Sequence, residues 1–130
     1  MNIKYTVNDS NLSSKEFISL ANQVWPKDYN EIQTALALAK TINITARNNG
    51  LLVGCVRILT DGVYFGTITE ILVLPEYQKQ GIGTKLMNLV QETTPTKLYF
   101  GAQPSAVPFY EKLGIEKGLT AFSINKKKPN

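Results

Sequence analysis

A chain of 130 residues, 43% hydrophobic and 18% charged, suits one domain with a real core, roughly two thirds of its unfolded surface hidden. It has no histidine and one cysteine, Cys55, which excludes Ser-His and Cys-His nucleophile systems, an internal disulfide and a cysteine metal cluster, so no metal site is expected. The net charge of +4 draws on Lys126, Lys127 and Lys128, a basic tail from about residue 126, and predicts a mildly basic surface rather than a nucleic-acid partner.

Any chemistry must therefore come from carboxylates, Tyr, Lys, hydroxyls, backbone groups or water. No apolar run approaches the ~20 residues of a membrane span, and Met1–Tyr5 shows no signal-peptide core. A cytoplasmic protein with no membrane partner is expected.

In chain order, "KYTV" (Lys4–Val7) predicts a short strand. Phe17, Leu20, Ala21 and Val24 then follow the i, i+3, i+4, i+7 spacing of a helix face. Ser13 and Glu16 suit a capping box at its start, and Pro26 discourages continuation. Ile32, Ala35, Leu36 and Ala39 repeat the helical spacing. "INITARN", the turn Asn48-Asn49-Gly50 and "LLVGCVRIL" predict a hairpin. Leu51–Leu59 is apolar at both parities except Gly54 and Arg57, so that strand is expected to be covered on both faces. Asp61-Gly62 leads into a third strand, "VYFGTITEILVL".

From Ile82 the period changes to about 3.6, with Ile82, Leu86, Leu89 and Val90 on one face of a helix. "KLYFGA" (Lys97–Ala102) predicts a strand. Pro104 suits the first turn of a further helix carrying Val107, Tyr110 and Leu113 and capped by Gly114. "LTAFSIN" predicts the last strand. The order is β-α-α-β-β-β-α-β-α-β, an α/β (α+β) single domain over residues 1–130 with a mixed central sheet flanked by helices.

The junction "ILVLPEYQKQGIGTKLMNLV" carries the chemistry. A strand ends at Pro75 and a helix begins near Ile82, with Gly81 and Gly83 between. The first N–H groups of a helix lack internal partners and carry partial positive charge, so an anion is favoured there. Glycines admit close approach and positive φ, and Lys79 and Lys85 add charge. The turn reads as a pyrophosphate cradle, or as a tight loop needing glycine for geometry alone. Gly-x-x-x-x-Gly-Lys-Ser/Thr is absent, and position 86 is Leu where the dinucleotide fingerprint needs a third glycine.

Gln78-Lys79-Gln80-Gly81-Ile82-Gly83 resembles the Gln/Arg-x-x-Gly-x-Gly/Ala signature of the GCN5-related N-acetyltransferases. "QPSAVPFYEKLGI", Gln103 to Ile115, resembles that family's Asn-x-x-Ala-x-x-x-Tyr-x-Lys-x-Gly segment. The resemblance implies acetyl-coenzyme A (or coenzyme A) in a cleft between splayed strands. Its pyrophosphate would be held by the backbone of Gln80, Gly81, Ile82, Gly83 and Thr84, with Gln78 and Lys79 beside them. The pantetheine arm would pair with the backbone near Leu72 and Val73 like an added strand. Gln103, Ala106 and Phe109 would be further cofactor contacts.

The resemblance also implies direct transfer to an amine through a tetrahedral intermediate. The backbone N–H near Val73 would serve the oxyanion, and Tyr110 would protonate the departing thiolate. Tyr110 could equally be a core aromatic. Glu70 is the strand's only carboxylate and the candidate base, unless it is structural or water along Thr67 and Thr69 serves instead. Alternation points Glu70 opposite to Thr69 and Ile71, although a β-bulge would change that parity. Trp25, Tyr29 and Arg57 are candidates for the acceptor side, with core or surface packing as the alternative. Cys55 reads as a small buried apolar residue. Gln103 departs from the family's Asn, and Pro108 lies just ahead of Tyr110.

The expected function is transfer of acetyl from acetyl-coenzyme A to a primary amine of a small molecule. Alternatives are an acetyl-coenzyme A-binding module without catalysis, and an acetyltransferase of a protein or peptide amine. A homodimer fits the family.

Overall fold

The computed structural model describes residues 1–126. Lys127 and Lys128 of the basic tail lie outside the described residues. The chain divides into a first unit, Met1–Phe100, and a second beginning at Gly101.

The first unit is built on a five-stranded sheet of β1 (Ile3–Thr6), β2 (Ile42–Asn48), β3 (Leu51–Thr60), β4 (Gly66–Val73) and β5 (Leu98–Tyr99). The strands stand in that order, antiparallel from β1 to β4, with β5 parallel to β4. Three helices accompany them: α1 (Ser14–Val24), α2 (Glu31–Ala39) and α3 (Ile82–Thr93). This is the expected mixed α/β class. Among the described residues no helix is long and apolar enough to cross a membrane.

Local signals set several boundaries as anticipated. Ser13 Oγ accepts from the Glu16 N–H, and a Glu16 carboxylate oxygen accepts from the Ser13 N–H, at 3.2 and 2.8 Å, a complete capping box. Asn49 and Gly50 both take positive φ, 49° and 88°, the pairing a tight hairpin turn requires.

The sheet carries helices on both faces, which explains the double-sided apolarity of β3. On one face, a Cβ added at Gly54 would lie 3.2 Å from both Ile82 Cγ2 and Leu86 Cδ1. The missing side chain thus lets α3 settle against β3. On the other face, Arg57 Cζ sits 5.4 Å from the centroid of the Phe17 ring of α1. Leu20, Ile44, Val53, Val56, Ile58, Leu86, Met87 and Val90 form the most buried core.

An ionic network fastens α1 and the loop before it to β2. Arg47 reaches Asp9 at 3.1 Å and binds both Glu16 oxygens at 2.7 and 2.9 Å. Thr45 Oγ1 donates to Asp9 at 2.8 Å. Burial raises the Asp9 carboxyl, but hydrogen bonds from Thr45, Asn11 and Arg47 outweigh it and hold the group below its ordinary value. The hydrogen bonds from Arg47 likewise lower Glu16 against the opposing effect of burial.

Several expectations change. The α2 face read from Ile32, Ala35, Leu36 and Ala39 is not the buried one: Leu38 is buried, while Ile32 and Leu36 are 75% and 62% exposed. The sequence "TALALA" is apolar on several faces, so only packing against α1 and β2 selects one. The strand after Asp61-Gly62 begins at Gly66, not Val63. There the Asp61 carboxylate accepts from the N–H groups of Val63, Tyr64 and Phe65 at 2.8, 2.7 and 3.1 Å, which closes a loop instead. The strand expected over Lys97–Ala102 is only Leu98–Tyr99. Leu119–Asn125, expected as the last strand, forms none among the described residues, since β-prone residues alone do not supply the ladder partner a strand requires.

In the second unit, Pro104–Ala106 forms a 3₁₀ turn and Val107–Lys112 the helix α4. The helix predicted from Pro104 is thus split, and Pro108 occupies the first turn of α4, where its missing N–H costs nothing. Gly114, at φ 77°, ends it. The Gly114 N–H donates to the Glu111 carbonyl at 3.0 Å and the Ile115 N–H to the Tyr110 carbonyl at 3.2 Å, a Schellman closure.

Candidate functional site

The first unit brings an open strand edge and an uncapped helix start together over one short stretch of chain. β5 pairs with β4 only at Gly66↔Leu98 and Thr67↔Tyr99, while β4 continues to Val73. Tight packing anchors the paired end: a Cβ on Gly66 would fall 2.6 Å from Leu98 Cδ2 and 2.9 Å from Thr60 Cβ. The β4–β5 pairing ends at Thr67, and among the described residues no other strand pairs with the outer edge of β4.

Backbone direction on that edge follows from two bonds. The Leu74 N–H donates to the Val53 carbonyl at 2.9 Å, so Leu74 faces β3. Successive residues alternate, which turns the Val73 N–H and C=O outward and those of Leu72 back toward β3. Of the two expected backbone contacts, Val73 has the outward pair. Its carbonyl accepts from Gln78 Nε2 at 3.0 Å.

A 3₁₀ turn, Pro75–Tyr77, then carries the chain to the glycine turn. Lys79 takes φ 62° and Gly81 φ 89°, so two left-handed residues reverse the chain just before α3. Gly81 is the helix N-cap, with no side-chain capping bond. The first intrahelical bond runs from the Lys85 N–H to the Gly81 carbonyl at 3.0 Å. The N–H groups at the start of α3, from Ile82, Gly83 and Thr84, therefore face forward without helical partners. A Cβ on Gly81 would meet nothing within 4 Å, so there is open space at the helix start. Lys79 and Lys85 are exposed beside it, and Gln80 Nε2 is engaged with the Glu76 carbonyl at 3.0 Å. These features fit a phosphate-bearing group with an amide-containing arm: donors and positive dipole at the turn, and behind it a strand edge with the Val73 N–H and C=O turned outward.

The parity of Glu70 is decided by a bulge. Arg57 pairs with Glu70 and Ile58 with Ile68, which leaves Thr69 as an extra residue on β4. Glu70 thereby joins the α1 face of the sheet, with Cys55, Arg57 and Leu72, while Ile68 faces α3. Its carboxylate is fully engaged. Oε2 accepts from Arg57 Nε at 2.5 Å and from Thr69 Oγ1 at 2.6 Å, and Oε1 accepts from Arg57 Nη2 at 2.8 Å. Arg57 is thus neither an edge nor a surface residue: it is sandwiched between Phe17 and Glu70. The sequence offered no sign of this pair except two opposite charges on neighbouring strands.

Tyr29 stands near the pair. Burial is the main cause that raises its phenol, Glu70 adds to it, and Arg57 opposes. Its hydroxyl donates to the Trp25 carbonyl at 2.8 Å, and the Trp25 ring is half exposed at the end of α1. Thr67 is half-buried. Cys55 is buried, and burial above all pushes its thiol up to about 12, so it is no nucleophile.

The remaining candidates belong to the second unit. Gln103 precedes the 3₁₀ turn, and its carbonyl accepts from the Ala106 N–H at 2.8 Å. Phe109 and Tyr110 follow on α4, their rings edge to face at 5.1 Å. Tyr110 is half-buried, and burial raises its phenol above the ordinary value.

Comparison with known proteins places the chain in a family. The family model for the acetyltransferase (GNAT) family matches residues 10–115, and the chain belongs to that family. The GCN5-related N-acetyltransferase 2, chloroplastic, of Arabidopsis thaliana is 35% identical over 69 residues, half of this chain and 27% of the relative. The chain spans only about a quarter of the length of the curated relatives it matches. Among solved structures, an acetyltransferase-like protein of meticillin-resistant Staphylococcus aureus superposes with a TM-score of 0.81 at 18% identity, covering 96% of this chain and 100% of the other. The aminoglycoside N-acetyltransferase AAC(6')-Iy, in complex with CoA, gives 0.71 at 14% identity over 98% and 96%. Both share the fold.

Proposed function

We propose that residues 1–130 act as one acetyltransferase domain that transfers acetyl from acetyl-coenzyme A directly to a primary amine of a small molecule. The observation that carries this reading is the outward Val73 edge running directly into an uncapped glycine turn at the start of α3. Membership of the acetyltransferase family supports the same assignment, as does a fold shared with a coenzyme A-bound enzyme.

Bound acetyl-coenzyme A supplies an activated thioester. The N–H groups of Ile82, Gly83 and Thr84 hold its pyrophosphate, with Gln80 and Gly81 shaping the turn and Lys79 and Lys85 adding charge. The outward backbone of Val73 aligns the pantetheine arm, and the Val73 N–H stabilises negative charge developing on the acyl oxygen. Tyr110 supplies the proton for the departing thiolate; a phenol is ordinarily protonated at neutral pH, and burial raises this one further. Gln103, Ala106 and Phe109 are further cofactor contacts in this reading.

Glu70 serves better as a positioning residue than as a free base, because each of its oxygens is already bonded. Proton removal from the amine then falls to water near Thr67 and Thr69. Trp25, Tyr29 and the Arg57–Glu70 pair are the candidate acceptor side.

The test is calorimetric titration with acetyl-coenzyme A, coenzyme A and ATP, followed by an amine panel with thiol detection. Saturable binding of the coenzyme A forms alone, with thiol release on an amine, is expected. Equal binding of ATP, or none of any ligand, would overturn the assignment.

A further inference from the structure

The Val73 carbonyl is a backbone acceptor on an open strand edge, and its occupant is another part of the same chain. Gln78 Nε2 donates to it at 3.0 Å. Gln78 follows Val73 by five residues, across the 3₁₀ turn, and its own N–H donates to the Pro75 carbonyl at 3.3 Å. That bond fixes the Gln78 backbone, but the residue is exposed. No burial holds its side chain in place, so a single neutral hydrogen bond does.

Chemically, the carboxamide is an amide N–H donor to a strand carbonyl, the same group that a pantetheine amide presents when it adds to a sheet edge. We propose that the Gln78 side chain is a stand-in ligand: it occupies the Val73 carbonyl in the free protein and leaves when the pantetheine arm pairs with β4. The inference rests on the coenzyme A reading of this cleft. It runs opposite in sign to a holding role for Gln78 at the pyrophosphate. A holder strengthens binding, whereas a stand-in competes with it. Covering the carbonyl also blunts an edge that would otherwise invite pairing with other chains.

The experiment compares the wild type with Gln78→Ala and Gln78→Met, the second keeping side-chain length without a donor. Each is titrated with coenzyme A and with its adenosine bisphosphate half alone. A net hydrogen bond corresponds to a change of about 2- to 10-fold. Both variants should bind coenzyme A more tightly by about that factor, with the adenosine bisphosphate Kd unchanged. Unchanged or weaker coenzyme A binding by the variants would overturn the proposal while leaving the coenzyme A reading intact. A wild type that binds no coenzyme A would sink both.

A second readout is independent of affinity. The side-chain amide resonance of Gln78 in nitrogen–proton correlation spectra should move toward its solvent position on adding coenzyme A, and stay in place with adenosine bisphosphate. A carbonyl has two lone pairs, so both donors could in principle share it; an unmoved Gln78 resonance under saturating coenzyme A would show that and refute displacement.

Discussion

Gly81 offers two separable effects at one position. Its φ is 89°, and an added Cβ would meet nothing within 4 Å. Alanine there encounters no clash and gains no contact, so its cost is the left-handed backbone alone, roughly 1–2 kcal/mol. For a chain of this size that lowers Tm by roughly 3–10 °C. Asparagine tolerates the same conformation better and should lose about half as much or less. Gly81→Glu adds a carboxylate where the phosphates are proposed to sit. At about 6 Å and an effective dielectric of about 20–40, the repulsion is about 1–3 kcal/mol, or about 10- to 100-fold in Kd for coenzyme A. Thermal unfolding measures the first effect and calorimetry the second. Alanine as stable as glycine would refute the backbone argument. A Gly81→Glu protein that binds coenzyme A as the wild type does would refute the cradle.

Other outcomes follow from the same geometry. Tyr110→Phe should cut turnover at least about tenfold, the scale of a lost general acid, with little change in coenzyme A affinity; an unchanged rate would remove Tyr110 as the acid. Because burial raises its phenol, any loss of activity from its ionisation should begin only above about pH 10, which a pH–rate profile would show. Glu70→Gln should retain a measurable rate while lowering stability by about 1–2 kcal/mol, because half-buried Arg57 loses its countercharge. Complete loss of turnover in a stably folded variant would instead make Glu70 the base. Glu16 is lowered chiefly by its hydrogen bonds from Arg47, and Asp9 by hydrogen bonds from Thr45, Asn11 and Arg47 that outweigh its burial. Their stabilisation is therefore full above the unfolded values near pH 4 and lost as pH falls through the lower folded ones. The stability gap between wild type and Arg47→Ala, followed by urea unfolding, should narrow below about pH 4 and stay level above about pH 5.

Much of the candidate site is legible in residue order because its parts are local. The change of period at Ile82, the two glycines and the nearby lysines act within a few residues of one another. So do the Ser13–Glu16 box, the Asn49-Gly50 turn and the Gly114 cap. In each, the interacting groups are neighbours along the chain, and residue type alone restricts φ or supplies the bond. Glu70 was identified as a carboxylate of interest, but its role depends on Thr69 being inserted as a bulge and on Arg57 arriving from another strand.

The sequence by itself determined the order of the strands and helices as far as α3, the glycine turn ahead of α3, and a composition without histidine or a second cysteine. Tertiary structure alone decided which face of α2 is buried, where the β4–β5 pairing ends, which way Val73 presents its backbone, and that Gln78 covers it. The reason is one of range. Helix caps and tight turns are satisfied within the segment that forms them, whereas strand pairing, bulge parity and helix facing are chosen by partners far away in sequence. "TALALA" and "KLYFGA" each permit several arrangements of similar local energy, and only packing against the rest of the chain selects among them.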